Sequence, residues 1–112
     1  MKNEVLLEEY QAFVETTWIP EDTPVSEELR IIYGLYGELG EIAELNKKYM
    51  RDGGDAFEWR DNFEKELGDV LYYIAKLANF FDVKLDDVLV QNVLKLESRF
   101  KRNKIHGSGD NR

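Results

Sequence analysis

Four acidic residues occur as two pairs with the same spacing. Glu38 and Glu41 form one pair, and Glu66 and Asp69 form the other. Residues three apart in an α-helix differ by about 60° around the axis and about 4.5 Å along it, so each pair presents two carboxylates on one side of a helix. All-oxygen ligands select hard cations, here Mg²⁺ with Mn²⁺ as a possible substitute. If the two helices face each other, the pairs predict a divalent-metal site.

Acidic residues at this spacing are also common on solvated helix faces, where they have no special function. The position of these pairs favours the metal site. Glu66 lies at the edge of an apolar stripe beside Val70, while Glu38 and Glu41 lie at the edge of a stripe that contains Ile42. Partly buried carboxylates cost roughly several kcal/mol each unless cations or protons compensate them.

A second polar group lies near the C-terminal end. Asn92, Lys95 and Arg99 follow one another in steps of three and four residues, with Asn92 expected inside an apolar arc. Their donors suit phosphate oxygens, although a basic helix end that complements the helix dipole is an equal alternative. Tyr73, one turn after Asp69, is expected either to stack on a nucleobase or to pack in the core with its hydroxyl at the rim.

Three glycines interrupt the segment that carries the first acidic pair, namely Gly34, Gly37 and Gly40. Each costs on the order of 1 kcal/mol relative to alanine inside a helix. Close approach of another backbone or of a ligand would offset that cost. We therefore expect either tight helix packing or ligand clearance beside this segment.

The elements that must position these residues are helices. Apolar residues recur with a period near 3.6, and no strand-like alternation bounded by turns is present. The pattern predicts helices over about residues 4–16, from 23 or 26 to 50, within 55–81, and over 85–104, followed by an irregular tail at 105–112. Short connections between long helices favour antiparallel packing. We predict an all-α, antiparallel four-helix bundle that forms a single domain over residues 1–112.

Composition excludes several other classes of protein. The chain has 112 residues, no cysteine and one histidine, His106. A disulfide scaffold and a thiolate metal site are thereby excluded, and a di-iron bundle, which uses Glu-x-x-His pairs, is disfavoured. The net charge of −8 is uneven, because residues 1–92 carry −12 and residues 93–112 carry +4. The acidic excess argues against a nucleic-acid polymer as partner.

Neither a membrane span nor a targeting segment is expected. The sequence contains no run of about 18 apolar residues, which a spanning helix would need. The first residues, Met1 to Glu4, lack the apolar region of a signal peptide. We therefore predict a cytoplasmic protein.

Two strings in the sequence resemble the MazG-like family of all-α nucleoside triphosphate pyrophosphohydrolases, whose relatives include dimeric dUTPases and dCTP pyrophosphatases. The strings are GELGEIAEL at 37–45 and EKELGDVLYYIAKLA at 64–78. The family pattern of ExxE followed by ExxD maps onto the two acidic pairs, with 24 residues between Glu41 and Glu66. The closing string NVLKLESRFKRNKIHGSGDNR is similar to the C-terminal portion of small family members.

The resemblance implies Mg²⁺-dependent hydrolysis of a nucleoside or deoxynucleoside triphosphate to its monophosphate and pyrophosphate. It implies that four acidic residues bind the metal, namely Glu38, Glu41, Glu66 and Asp69. Either Glu38 or Glu41 would orient or deprotonate the attacking water. Asn92 and Lys95 match positions that contact the triphosphate, and Arg99 is a plausible additional contact.

The resemblance also has implications for assembly and specificity. Single-domain members are usually homodimers or homotetramers, which agrees with the long apolar faces of the predicted helices. Lys48 and Tyr49 stand where some dCTP-specific relatives have a base-contacting tryptophan, so no cytosine preference is implied. An alarmone such as (p)ppGpp or a damaged nucleotide would suit the same chemistry. A non-catalytic helical interaction module is the alternative of a different class.

Overall fold

Four α-helices make up the computed structural model, which describes residues 3–112 and contains no strand within that range. The helices are α1 (Leu7–Thr17), α2 (Glu27–Asp52), α3 (Ala56–Phe80) and α4 (Leu85–Lys101). The prediction of an all-α fold is confirmed. Met1 and Lys2, which open the predicted domain and the N-terminal segment considered above, lie outside the described residues. No helix within the described range is long and apolar enough to cross a bilayer.

Local capping explains where α2 and α3 begin and end. The Ser26 side chain accepts a hydrogen bond from the Leu29 N–H at 3.2 Å, which selects it over Thr23 as the N-cap of α2. At the other end, Gly53 has a φ of 73°, a conformation that favours glycine and ends the helix. Asp55 then caps α3 by accepting from the Phe57 N–H at 2.8 Å. The short connection turns α2 and α3 into a hairpin.

Two predicted boundaries were wrong. Helix α1 begins at Leu7 rather than near residue 4, and α4 ends at Lys101 rather than Lys104. Asn103 has a φ of 57°, and the Lys104 N–H donates to the Arg99 carbonyl at 2.6 Å. Asparagine tolerates this left-handed conformation, and the hydrogen bond satisfies a carbonyl at the end of the helix. Helix α4 therefore ends before the basic residues Arg102 and Lys104.

The main packing is between α2 and α3, while α1 packs on α3 and on α4. The side chains buried between the helices include Val14, Ile31, Val70 and Ala75. Lys76 is also buried, with 5% of its surface exposed, and its ammonium donates to Glu15 of α1 at 2.8 Å. This ion pair joins α1 to the hairpin.

The apolar face of α4 is largely uncovered in the single chain. We expected it to form core, but its apolar residues are exposed, among them Val88, Leu89, Val93, Leu96 and Phe100. The radius of gyration is 17.4 Å, against about 13 Å for a compact domain of this size. The α2–α3 hairpin alone offers α4 too little contact to bury this face. The helices are compatible with a four-helix bundle, and its completion by oligomerisation stays a prediction.

Candidate functional site

The α2–α3 hairpin brings three of the four predicted metal ligands together. Carboxylate oxygens of Glu38, Glu66 and Asp69 all lie within 4.8 Å of one another. Glu38 and Glu66 are half-buried, and Asp69 is exposed. Among residues 3–112, no lysine or arginine forms an ion pair with any of the three. We call these three residues the acidic cluster.

Burial and neighbouring like charges raise the pKa of Glu38 above its usual range. Burial contributes most, followed by the charge of Asp69, a hydrogen bond with Glu66 and the charge of Glu41. Each of these effects penalises the ionised carboxylate. A proton or a cation would relieve the repulsion, and the donor set consists only of oxygens. The residues present therefore fit a hard divalent cation.

Glu41, the fourth predicted ligand, lies beside the acidic cluster rather than inside it. Its side chain is exposed on the next turn of α2. Its charge still contributes to the raised pKa of Glu38, so the two carboxylates are electrostatically coupled. The structure thus separates the predicted ligand set into three clustered carboxylates and one neighbour open to solvent.

The Tyr73 ring packs against α2 at Gly34, which leaves room for it. A Cβ at Gly34 would overlap the ring of Tyr73. The other side of that ring meets Trp18 edge-on, with centroids 6.2 Å apart. Burial and then the charge of Glu38 raise the pKa of the Tyr73 hydroxyl. This geometry corresponds to the core alternative, with the hydroxyl near the carboxylates; stacking on a nucleobase stays a prediction.

The remaining helix glycines have no such neighbour in the single chain. A Cβ at Gly37, Gly40 or Gly68 would meet no described atom within 4 Å. Of the two alternatives expected for this segment, tight packing is found at Gly34, while ligand clearance at Gly37 and Gly40 stays a prediction. Only Gly34 has a close partner, and that partner is an aromatic ring rather than a backbone. The open space at Gly37 and Gly40 flanks Glu38 and Glu41 on α2.

The polar residues of α4 occupy a different part of the molecule. Asn92 and Lys95 line a cavity with Val88, Gln91 and Asp110, and no carboxylate of the acidic cluster borders it. The Asn92 side chain, which we expected inside an apolar arc of α4, is exposed. In one chain the apolar arc around it has no partner helix.

Arg99 is buried by the C-terminal tail. Only 4% of its surface is exposed, and its Nη2 donates to the carbonyls of Gly109 at 3.3 Å and Asp110 at 2.9 Å. Its Nε is buried without a hydrogen-bond partner among the described residues. The guanidinium therefore holds the tail in this structure, while its predicted contact with the triphosphate stays a prediction.

The tail itself is folded, which the sequence did not reveal. Residues 102–112, the C-terminal loop, include the predicted irregular tail at 105–112 and three residues predicted as helix, and the loop is closed by its own arginines. The Arg112 guanidinium donates to the carbonyls of Lys104 and Ile105, each at 3.1 Å, and Arg102 donates to the Arg112 carbonyl at 2.7 Å. The signal was the string GSGDNR, in which glycines permit the turns and an arginine can reach several carbonyls.

An aromatic stack at the turn of the hairpin was also missed. The ring of Trp59 lies 5.5 Å from that of Tyr49 and 5.4 Å from that of Phe63, measured between centroids. Its indole N–H donates to Asn46 of α2 at 3.0 Å. The spacing of Trp59 and Phe63, four residues apart on α3, was the available signal. The stack joins α2 to α3 next to the connecting loop.

Comparisons with known proteins show which family the chain resembles. The model of the MazG nucleotide pyrophosphohydrolase domain matches residues 26–103. The chain is 51% identical over 84 residues to "Gene 37 protein" of Mycobacterium phage L5, covering 73% of this chain and 74% of that protein. It is 35% identical over 74 residues to "Uncharacterized protein YpjD" of Bacillus subtilis (strain 168), covering 65% and 67% respectively. No solved structure matches.

The matched region contains the whole α2–α3 hairpin and with it the acidic cluster. Members of this family generally use a divalent metal ion, in agreement with the carboxylate donor set. The family model covers well over half of the chain. The chain belongs to the family of MazG nucleotide pyrophosphohydrolase domains.

Proposed function

We propose that this chain hydrolyses nucleoside or deoxynucleoside triphosphates to the monophosphate and pyrophosphate in the presence of Mg²⁺. The observation that carries the proposal is the acidic cluster, whose three carboxylates lie within 4.8 Å of one another. Such an arrangement repels itself and is stabilised by a cation. Mn²⁺, another hard ion, is expected to substitute.

Each acidic residue has a distinct role in the proposal. Glu38, Glu66 and Asp69 hold the metal. When bound, Mg²⁺ polarises phosphate oxygens and lowers the pKa of a coordinated water. Glu41 is exposed beside the cluster, so its carboxylate is free to accept the proton of the attacking water. Glu38 is the second candidate for that proton, because its carboxylate lies within the same cluster.

The substrate contacts come from two regions. Tyr73 contributes an aromatic edge next to Glu38, and Asn92 and Lys95 contribute donors to phosphate oxygens. In the single chain the α4 cavity has none of the acidic cluster in its lining. We therefore include a homodimer or homotetramer in the proposal, in which a second copy covers the exposed face of α4 and the two regions meet.

The charge distribution of the chain favours a small nucleotide as the partner, and we place the reaction in the cytoplasm. Residues 1–92 carry −12, which repels a nucleic-acid polymer, while a metal ion offsets the acidic residues locally for a short polyphosphate. The positive end at residues 93–112 provides the complementary charge. An alarmone such as (p)ppGpp or a damaged nucleotide would satisfy the same requirements.

The exposed apolar face of α4 favours a second candidate of another class, a non-catalytic interaction module. Such a module would have solvated acidic residues with no need for metal. Pyrophosphate release discriminates between the two candidates. So does the effect of Mg²⁺ on thermal stability, which only the enzyme should show.

The test is a panel of ribonucleoside and deoxynucleoside triphosphates, with (p)ppGpp and oxidised nucleotides included, incubated with Mg²⁺ and assayed for released pyrophosphate. We expect release from at least one triphosphate and its loss in Glu38→Gln. Glu44→Gln is the matched control, since Glu44 lies on the same helix but is paired with Lys47 and Lys48 at 3.9 and 3.8 Å. Folded protein that releases pyrophosphate from no member of the panel would refute the proposal.

A further inference from the structure

A carboxylate of the same chain forms ion pairs with two cationic side chains of α4. The Lys95 ammonium lies 3.3 Å from Asp110 Oδ1, and Arg99 Nη2 lies 3.4 Å from the same oxygen. Asp110 belongs to the C-terminal loop, which folds back beside α4. One anionic oxygen thus stands between two positive groups, at the edge of the cavity that Asn92 and Gln91 line.

The C-terminal loop does not need this carboxylate to stay folded. Arg99 holds the loop through the carbonyls of Gly109 and Asp110, and Arg112 closes it through the carbonyls of Lys104 and Ile105. The Asp110 side chain is 84% exposed. Its carboxylate interacts with the two cations and contributes nothing else to the loop.

The carboxylate is ionised at neutral pH. Hydrogen bonds from Lys95 and then Arg99 hold the pKa of Asp110 below its usual range. An ionised carboxylate and a phosphate group offer the same kind of oxygen to an ammonium or guanidinium. Asp110 therefore stands where a phosphate oxygen would otherwise bind.

We propose that Asp110 is an internal competitor that sets the affinity of the α4 cavity for phosphate groups, an inference that rests on the proposed contact between Lys95 and the substrate. A phosphate group binds Lys95 by displacing the Asp110 carboxylate, while the backbone of the C-terminal loop stays held by Arg99. Asp110 thereby limits how tightly substrate and pyrophosphate are retained.

The exchange is energetically accessible. Ion pairs between exposed groups are worth a factor of about two to five in an equilibrium constant, so a phosphate that carries more charge can replace the carboxylate. The alternative is that Asp110 positions Lys95 for its ligand. The two roles predict opposite signs, since removing a competitor strengthens phosphate binding and removing a positioning group weakens it.

The experiment measures the affinity of the full chain for inorganic pyrophosphate by calorimetry at low ionic strength, with EDTA present so that the acidic cluster carries no metal. Asp110→Asn removes the charge and keeps the shape of the side chain. Glu97→Gln is the matched control, because it changes the net charge equally from the opposite side of α4. Lys95→Gln is measured alone and combined with Asp110→Asn, and thermal melting establishes that each variant is folded.

We expect Asp110→Asn to bind pyrophosphate about two- to fivefold more tightly than the unmodified chain. Glu97→Gln should change the affinity far less, and Lys95→Gln should weaken it about tenfold. In the Lys95→Gln background, Asp110→Asn should give no gain. The inference would be overturned if Asp110→Asn bound pyrophosphate equally or more weakly, or if Glu97→Gln gave an equal gain in affinity. It would also be overturned if the gain from Asp110→Asn persisted in the Lys95→Gln background, or if no variant bound pyrophosphate measurably.

The binding assay is independent of hydrolysis, so the two proposals can fail separately. The expected order of affinities in a chain that hydrolyses no nucleotide would contradict the proposed reaction and uphold the role of Asp110. Hydrolysis without that order of affinities would leave the reaction standing and remove the role of Asp110.

Discussion

The acidic cluster and the group formed by Lys95, Arg99 and Asp110, which we call the α4 group, differ in how their charges are balanced. In the acidic cluster, three carboxylates converge with no lysine or arginine of residues 3–112 paired to them, and burial together with their repulsion raises the pKa of Glu38. In the α4 group, two cations share a carboxylate of the same chain, and the pKa of Asp110 falls. The first arrangement is uncompensated and the second is internally neutralised.

The difference indicates how each region responds to a ligand. A cluster of like charges is stabilised when a cation binds, so we expect the acidic cluster to bind metal and the proposed reaction to depend on it. A compensated group must exchange one anion for another, so its affinity is modest and adjustable. We therefore expect changes in the acidic cluster to abolish the proposed reaction, and changes in α4 or the C-terminal loop to adjust binding.

The largest expected effect comes from removing one carboxylate of the acidic cluster. Asp69→Asn should lower the rate of pyrophosphate release by about 100-fold or more, because metal stabilisation of the transition state is worth several kcal/mol. The melting temperature should stay the same or rise, since like-charge repulsion is relieved. Asp61→Asn, an exposed change on the same helix, is the control. Equal activity in the two variants would contradict the central role of the cluster.

Mg²⁺ should stabilise the fold through the acidic cluster alone. At 100 times its dissociation constant, a ligand that binds only the folded state adds about 2.7 kcal/mol to the free energy of unfolding. We expect this gain in the unmodified chain and in Asp110→Asn, but not in Asp69→Asn. Urea titrations with and without Mg²⁺ measure it. A gain that survives Asp69→Asn would place the metal elsewhere.

Gly34→Ala should distort the acidic cluster from behind. The added methyl group would overlap the Tyr73 ring, and overpacking of this kind costs about 1–3 kcal/mol. Gly37→Ala, with open space in the single chain, should instead stabilise the helix by roughly 0.5–1 kcal/mol. Chemical denaturation of both variants gives the comparison. Destabilisation of both, with loss of the oligomer in Gly37→Ala, would assign Gly37 to an interface between copies.

Helix type, the hairpin and the acidic cluster were accessible from sequence because they depend on local periodicity. Glu66 and Asp69 share one side of α3 because they are three residues apart, and the short Gly53–Asp55 connection brings them against Glu38 of α2. The same spacing on α2 did not bring Glu41 into the cluster. The position of α4 was not accessible in this way. Its apolar stripe shows that it must be covered but not by what, and in the single chain α1 contacts it more than the hairpin does.

The contacts of the C-terminal loop were not predicted either, although the string GSGDNR indicated that turns could form there. Its fold depends on which carbonyls the guanidiniums of Arg99 and Arg112 reach, and this depends on the turn at Asn103. Such long-range contacts of flexible side chains leave no periodic pattern. The predicted polar group of Asn92, Lys95 and Arg99 therefore combined two residues that line the cavity with one that holds the loop.

The smallest expected effect concerns a second lysine–carboxylate pair, which contrasts with Lys95 and Asp110. Lys76 is buried, and its ammonium lies 2.8 Å from Glu15 and 3.7 Å from Glu27. Glu15→Gln should lower the free energy of unfolding by about 1 kcal/mol, a value reduced because Glu15 is half-exposed and Glu27 stays nearby. Asp110→Asn should cause no measurable change. Equal effects would mean that burial of the lysine does not distinguish the two pairs.

The pH dependence of the difference in unfolding free energy between the unmodified chain and Glu15→Gln tests the ion pair more directly. Burial by itself raises the pKa of Glu15, but hydrogen bonds from Lys76 and Asn79 hold it below its usual range. A carboxyl whose pKa is lower in the folded state stabilises the fold at pH values above its unfolded-state pKa of about 4.3. This stabilisation is lost as the pH falls through the folded-state pKa. The difference between the unmodified chain and Glu15→Gln should therefore be constant from pH 7 to about 5 and shrink below about pH 4. A difference that grows on acidification would contradict the ion pair as its cause.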